Sequence, residues 1–239
     1  MNGSRSVSDR RKLLENTNKI VFNSHWSRKR FLEGITGFHI NSEKILVIYQ
    51  STQPTKVIVS KKKKWITFVG KLNRAKGYDL FGKAVLKILK KYKDWKAYVA
   101  GDEPRDQIIF NHKRLFKLGF RNHSEIINLY KASSIAVVCS RWDEPFGRTS
   151  LEASANGCAV IISNRGGLPE TLTNGVILKK LTVNDIYDRI QNLIINKKKR
   201  QNLQKLSYDN FYLTHKYISN QIDDVRYSLL KITRPFNFN

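Results

Sequence analysis

The sequence has 239 residues, of which 44 are Lys or Arg and 19 are Asp or Glu, so its formal net charge is +25. An apolar fraction of 41% excludes an intrinsically disordered chain. No apolar run approaches the roughly 18 residues that a membrane-spanning helix needs. Residues 1–11 lack the apolar core of a secretory signal. We therefore expect a cytoplasmic protein, or one that is peripheral to the inner face of a membrane.

The positive charge predicts attraction to polyanions, which include nucleic acid, anionic lipid head groups and phosphorylated small molecules. Lysine is spread along the whole chain, so a generally Lys-rich composition explains the charge equally well. No recognised nucleic-acid-binding module occurs, and nucleic acid is therefore the less favoured partner.

The two cysteines, Cys139 and Cys158, stand among apolar or small residues. This setting predicts buried, reduced thiols rather than a disulfide or a redox pair. No Cys/His cluster has the spacing of metal ligands, so neither a metal nor another cofactor is predicted.

Short apolar runs rich in β-branched and aromatic residues predict strands that are buried on both faces of a parallel sheet. Helical periodicity occurs between and after them, and the alternation predicts an α/β fold with a Rossmann-like, doubly wound parallel sheet. The predicted strands are 20–22, 45–49, 65–69, 97–100, 135–139, 159–163 and 175–178. The predicted helices are 10–16, one from 26, 79–92, 124–132, 148–155 and 216–230, and the region 182–205 has helical periodicity.

Composition also suggests a domain division. Residues 1–50 are too few to close a core of their own, and the lysine run at 61–64 follows the polar segment STQP. We predict a partial Rossmann-like domain at 1–50, a linker at 51–64, the main domain at 65–205 and a helical tail at 206–239.

Ligands of open parallel sheets lie beyond the carboxyl ends of the strands. The strand at 65–69 is followed by GKLNRAKG, in which Lys71 and Lys76 flank a short loop that leads into a helix. The two ammonium groups could converge on one anion. A solvated loop is the alternative, and it is the more frequent explanation of two lysines taken alone.

The strand at 135–139 leads to EPFGRTSLE, residues 144–152. The helix that begins after Gly147 offers unpaired amide groups and a positive dipole end to an anion. A diphosphate held there has two organic arms, and the carboxylates of Glu144 and Glu152 could each accept hydrogen bonds from hydroxyls of one arm. The predicted ligand is a sugar–diphosphate–ribose. In the alternative, Glu144 is a helix-dipole partner and Glu152 a solvated helix residue; the sequence geometry does not decide between them.

Four segments occur in the order GKLNRAKG, LGF at 118–120, CSRWDEPFGRTSLEASANGCAVIIS, and GGLPET at 166–171. Together they resemble the C-terminal, nucleotide-sugar-binding domain of family 4 retaining glycosyltransferases, which have the GT-B fold. The resemblance extends from about residue 19 to residue 171. Its early part, KIVFNS, WSRKRF and KILVIY, resembles only the end of the family's N-terminal, acceptor-side domain.

The resemblance implies roles for individual residues. Glu144 would bind hydroxyls of the donor sugar and Glu152 those of the ribose. Lys76, with Lys71 at a position that is commonly Arg in the family, would clamp the diphosphate and stabilise charge on the leaving nucleotide. Glu144, Lys76 and Lys71 are thus the predicted catalytic residues. The other predicted donor-binding residues, besides Glu152, are Gly70, Phe120, Arg121, Phe146, Gly147, Arg148, Thr149, Gly166 and Gly167.

The implied function is a retaining glycosyltransferase that moves a sugar from a nucleotide-diphosphate sugar to an unknown glycan or lipid acceptor. Two alternatives remain: a non-catalytic nucleotide-sugar-binding fragment of a split or truncated transferase, and a basic nucleic-acid-binding protein. The expected partners are the nucleotide sugar, the acceptor, an anionic membrane surface and a separate N-terminal half. His112 and His123 match no motif and are predicted to be ordinary surface residues.

Overall fold

A computed structural model describes residues 6–37, 42–106 and 108–230. They form two compact units: the described residues up to Ser51 together with those from Tyr212 onward, and Thr52–Phe211. The finer division into 1–50, 51–64, 65–205 and 206–239 stays a prediction.

The elements in chain order are α1 (Val7–Asn16), β1 (Ile20–Phe22), α2 (His25–Leu32), β2 (Ile45–Val47), β3 (Lys63–Val69), α3 (Tyr78–Lys91), β4 (Lys96–Ala100), β5 (Leu115–Gly119), α4 (His123–Ala132), β6 (Ser133–Val138), α5 (Arg148–Ala155), β7 (Ala159–Ile162), β8 (Val176–Ile177), α6 (Val183–Ile195), α7 (Lys197–Asp209) and α8 (His215–Leu230).

The smaller unit holds a two-stranded parallel sheet, in which Ile20 is paired with Ile45 and Phe22 with Val47. The helices α1 and α2 begin at serine caps: the hydroxyl oxygens of Ser6 and Ser24 accept hydrogen bonds from backbone amides in the first turn. The sequence therefore sets where both helices begin.

The larger unit is a six-stranded, fully parallel sheet in the order β5-β4-β3-β6-β7-β8. Helices α3 and α6 pack on one face against residues such as Ile66 and Ile135, and α4 and α5 pack on the other. This is the predicted α/β class. The strand order reverses between β3 and β6, and such a switch point is where open parallel sheets bind ligands.

Apart from element ends that differ by up to three residues, the predicted elements differ from the observed ones in two places. Strand β5 is absent from the prediction, because Phe116 and Lys117 are exposed on this edge strand and no continuous apolar run marks it. The periodic segment 182–205 is two helices, α6 and α7, separated at Asn196, which serves as the C-cap of one and the N-cap of the other.

Both cysteines are buried and free, as predicted. Burial raises the pKa of the Cys139 thiol to about 12, so this sulfur stays protonated and unreactive. Over the described ranges, no helix is long and apolar enough to cross a membrane.

Candidate functional site

Two loops meet at the switch point: 70–77, which follows β3, and 139–147, which follows β6. The carbonyl oxygen of Ala75 accepts hydrogen bonds from the backbone amides of Arg141 (2.8 Å) and Trp142 (3.1 Å), and from the hydroxyl of Ser140 (3.1 Å). The Arg141 guanidinium donates two further bonds to the Asp79 carboxylate, of 2.6 and 2.8 Å. The two loops are thus fixed to one another.

Within this junction, Lys76 Nζ lies 2.5 Å from Glu144 Oε1. The Lys76 side chain is 33% exposed and that of Glu144 is 14% exposed. Two residues that were predicted from separate motifs are therefore in direct contact. Lys71 is exposed, and within the described part of the chain its ammonium has neither an ion pair nor a hydrogen bond.

The course of the first loop depends on Asn73 and Gly77, which the sequence analysis did not single out. The Asn73 carboxamide oxygen accepts from the Lys76 amide at 3.0 Å, and its nitrogen donates to Glu103 at 3.2 Å. Gly77 has φ +76°, and a Cβ there would stand 1.9 Å from the Cys139 carbonyl oxygen. The asparagine–glycine spacing of NRAKG is a turn signal that could have identified both residues.

Helix α5 begins at the same junction. Phe146 is buried, and its ring helps to fix the chain just before Gly147. Gly147 has φ +124°, and a Cβ on it would meet Leu168 at 2.5 Å, so only glycine fits. Arg148 is exposed and Thr149 half-buried at the first turn of the helix. The helix α5 thus begins four residues after Glu144, with Gly147 as its N-cap.

Glu152, on the next turn of α5, is nearly buried, with a side chain 8% exposed. Its Oε1 lies 3.1 Å from Arg148 Nη2 and 3.7 Å from His123 Nδ1. The alternative of a solvated helix carboxylate is therefore wrong. Burial, and secondly the charge of Glu152, raises the pKa of the enclosed Tyr130 hydroxyl.

His123 is another residue that the sequence analysis did not place in the site. It was predicted to be an ordinary surface residue, and its ring is indeed 62% exposed, yet it is one of two cationic or ionisable groups on the Glu152 carboxylate. Both contacts are to Oε1 of Glu152, and among the described residues no hydrogen bond or ion pair reaches its Oε2.

The turn after β7 completes the junction. Gly167 donates its amide hydrogen to the Glu144 carbonyl oxygen at 2.6 Å. Gly166 has φ +59°, and a Cβ on it would stand 2.2 Å from the same oxygen. Only glycine therefore fits at position 166, where this turn approaches the Glu144 backbone.

The remaining predicted residues lie farther along the sheet. Gly70 directly follows β3 and donates its amide hydrogen to the carbonyl oxygen of Ala100 at the end of β4. Phe120 is 74% exposed after the edge strand β5, and the guanidinium of Arg121 lies 3.7 Å from Glu125. No hydrogen bond or ion pair of the structure joins Phe120 or Arg121 to the Lys76–Glu144 pair.

No group of three or more His, Cys, Asp or Glu residues in the described ranges is arranged to hold a metal ion. The charged groups where the two loops meet are lysines, arginines and carboxylates that are not clustered with one another.

Family comparison agrees with the fold. The family described as glycosyl transferases group 1 matches residues 50–209. The chain belongs to this family, and its sheet matches GT-B glycosyltransferase structures.

Among its relatives is an uncharacterized glycosyltransferase, MJ1607, of Methanocaldococcus jannaschii, with 31% identity over 72% of this chain and 53% of the relative. A lipopolysaccharide core biosynthesis mannosyltransferase, LpsB, of Rhizobium meliloti is 32% identical over 47% of this chain and 35% of its own length. The solved structure of Anabaena HepE in complex with UDP-glucose superposes with a TM-score of 0.74 and 20% identity, and it covers 94% of this chain and 68% of that one. The chain spans about half the length, or less, of these curated relatives.

Proposed function

We propose that the chain is the donor-binding part of a retaining glycosyltransferase, which transfers a sugar from a nucleotide-diphosphate sugar to a glycan or lipid acceptor. The observation that carries the proposal is the contact between Lys76 and Glu144 at the switch point, directly before the amide end of α5. A cation, a helix N-terminus and a carboxylate are then available to one ligand.

The diphosphate is assigned to Lys76, Lys71 and the first turn of α5. Lys76 sits at the junction of the two loops, and the exposed Lys71 ammonium is free to join it. Gly147, the N-cap of α5, has no side chain to cover the backbone at the start of the helix. Ammonium groups and helix amides are donors that suit phosphate oxygens.

The two carboxylates are assigned to the two arms of the ligand. Glu144, which lies before α5, accepts from hydroxyls of the donor sugar. Glu152 is held at Oε1 by Arg148, and this contact leaves Oε2 for the ribose hydroxyls. The predicted donor contacts that stay predictions include Gly70, Phe120, Arg121, Gly166 and Gly167.

Transfer from a nucleotide sugar places negative charge on the departing diphosphate as the bond to the sugar breaks. In this proposal Lys76, Lys71 and the α5 amides stabilise that charge, and loss of one such donor typically costs about 10²- to 10³-fold in rate. That the sugar keeps its anomeric configuration, and that the acceptor is a glycan or a lipid, are parts of the same proposal. LpsB is named a mannosyltransferase and HepE was solved with UDP-glucose, which supports a nucleotide-sugar donor.

Thermal unfolding with UDP, GDP and ADP tests the donor site. At least one nucleotide should raise the melting temperature of the wild type and leave that of Glu152→Ala unchanged. Asp188→Asn, an exposed acid of α6, is the matched control and should respond like the wild type. If no nucleotide shifts the wild-type transition, the donor site does not exist in this chain.

A non-catalytic nucleotide-sugar-binding module would share every residue of this site. Turnover separates the two: release of nucleoside diphosphate from a donor supports the enzyme, whereas binding without release supports the module. The nucleic-acid alternative predicts binding that weakens steeply with salt and is indifferent to Glu144→Ala.

A further inference from the structure

Trp142, in the loop after β6, presents its indole to solvent. The side chain is 55% exposed, and the structure gives the ring no stacking, cation or hydrogen-bond contact among the described residues. Trp26 and Trp65 each lie against a cation, and Trp95 is 2% exposed. Leaving an indole in water forgoes the free energy of burying one of the largest apolar side chains.

The loop that presents this indole is rigid. The Trp142 amide donates to the Ala75 carbonyl oxygen at 3.1 Å. The Trp142 carbonyl oxygen lies 3.1 Å from the Ser140 hydroxyl and shares its single hydrogen with the Ala75 carbonyl oxygen. The preceding residue, Arg141, is held by the Asp79 carboxylate through two bonds. The exposure of Trp142 is therefore built into the loop and does not result from a loose segment.

The position of Trp142 relates it to the candidate site. It precedes Glu144 by two residues, and the residue between them, Asp143, is exposed and has no ion pair or hydrogen bond within the described chain. Glu144 is recessed, with 14% exposure, and is paired with Lys76. A recessed carboxylate suits a ligand seated in the site, whereas a projecting indole suits a second ligand that arrives from solvent.

We propose that Trp142 is the platform for a saccharide acceptor, whose pyranose ring stacks on the indole while Asp143 accepts hydrogen bonds from its hydroxyls. The inference rests on the proposed function and narrows its acceptor to a carbohydrate. The face of an indole carries the negative lobe of its quadrupole and attracts the positively polarised C–H groups of a sugar face. An adjacent carboxylate supplies strong, oriented bonds to vicinal hydroxyls.

The first test is fluorescence and requires no nucleotide. Methyl α-D-mannopyranoside or methyl α-D-glucopyranoside should change the tryptophan emission of the full chain, and the change should disappear in Trp142→Phe. Sorbitol, which has hydroxyls but no pyranose face, should produce no change. If neither glycoside alters the wild-type emission, or if the change persists in Trp142→Phe, the platform is refuted, whatever the nucleotides do.

The second test separates acceptor from donor. In Trp142→Ala, transfer to the glycosides should fall about tenfold or more, because the sugar ring loses the aromatic face on which it stacks. Hydrolysis of the donor and the nucleotide-induced melting shift should change less than twofold. An equal loss of nucleotide binding would assign the indole to the donor and overturn the inference.

Asp143→Asn should weaken glycoside binding in the same assays and leave nucleotide binding unchanged. Tyr217→Ala, which removes an exposed aromatic ring of α8 in the smaller unit, is the control and should leave both unchanged. Failure of nucleotide binding in the wild type would reject the proposed function while the glycoside assay still decides the role of Trp142.

Discussion

Lys76 and Glu144 neutralise each other across the switch point, with 2.5 Å between Nζ and Oε1. Each is also assigned to a different part of the donor. A bound donor must therefore either break this ion pair or form hydrogen bonds to both residues while they stay in contact. Any free energy lost from the ion pair is subtracted from the binding free energy of the donor.

Replacement of Glu144 by Gln should affect the two halves of the donor differently. Without its carboxylate partner, Lys76 is free for phosphate, so affinity for a nucleoside diphosphate should stay equal or rise a few-fold, as expected for a partly exposed pair that contributes up to about 1 kcal/mol. Sugar transfer should fall about 10²-fold or more. Calorimetric titration with UDP and GDP, beside an assay of diphosphate release, measures both. Parallel loss of binding and transfer would show that the roles of Glu144 and Glu152 are wrongly assigned.

Lys71→Ala should lower the affinity for the same diphosphates about tenfold without changing the melting temperature of the free protein, because Lys71 is exposed and makes no contact to lose. Lys83→Ala, at an exposed lysine of α3, removes the same charge and is the control. If both variants weaken binding alike, the effect comes from net charge rather than from the site.

Gly77→Ala should destabilise the larger unit by about 3 kcal/mol, because the new methyl group adds a clash with a main-chain oxygen to the strain of a left-handed backbone. Gly119 is a matched control: its φ is +70° against +76°, but a Cβ there meets nothing within 4 Å. Gly119→Ala should therefore cost only about 1 kcal/mol. Urea unfolding measures both values, and equal costs would refute the clash.

The Arg141–Asp79 pair predicts a response to acid. The Arg141 guanidinium holds the pKa of the Asp79 carboxyl below its ordinary value of 3.8. The pair thus contributes stability above pH 3.8, and the contribution is lost as the pH falls through the lower folded-state value. The free energy of unfolding should drop less between pH 5 and pH 2 in Arg141→Gln than in the wild type. The difference should stay under about 1 kcal/mol, since Arg141 is partly exposed. Identical pH profiles would contradict the pairing.

Much of the larger unit follows from the sequence because buried parallel strands are continuous apolar runs. β7 was predicted to within one residue and α5 fully, and the EPFG segment lies where α5 begins, as expected. Edge strands lack this signal. In β5, Phe116, Lys117 and Gly119 are exposed and the other two residues are half-buried, so a search for continuous apolar runs does not detect the strand.

The site could be predicted only in part, for a similar reason. Residue types and spacing identified Lys76, Glu144 and Glu152 as separate candidates. The contact of Lys76 with Glu144 depends on the approach of two loops 68 residues apart, which no local pattern encodes. The sequence analysis did not identify His123, because its partner Glu152 belongs to a different helix. It did not identify Trp142, because the exposure of a side chain is known only once the chain is folded.

The junction of the two loops is held together by a main-chain oxygen, that of Ala75, which receives three donors. Any residue type can supply that oxygen, because it belongs to the main chain. Side-chain replacement at position 75 should therefore change neither stability nor activity, and a scan of point variants would not reveal the importance of this atom. A change of length would reveal it: one residue inserted into either loop would shift every bond to that oxygen at once. Among natural variants of this chain, we therefore expect the residue type at position 75 to vary freely. The number of residues from 70 to 77 should stay constant.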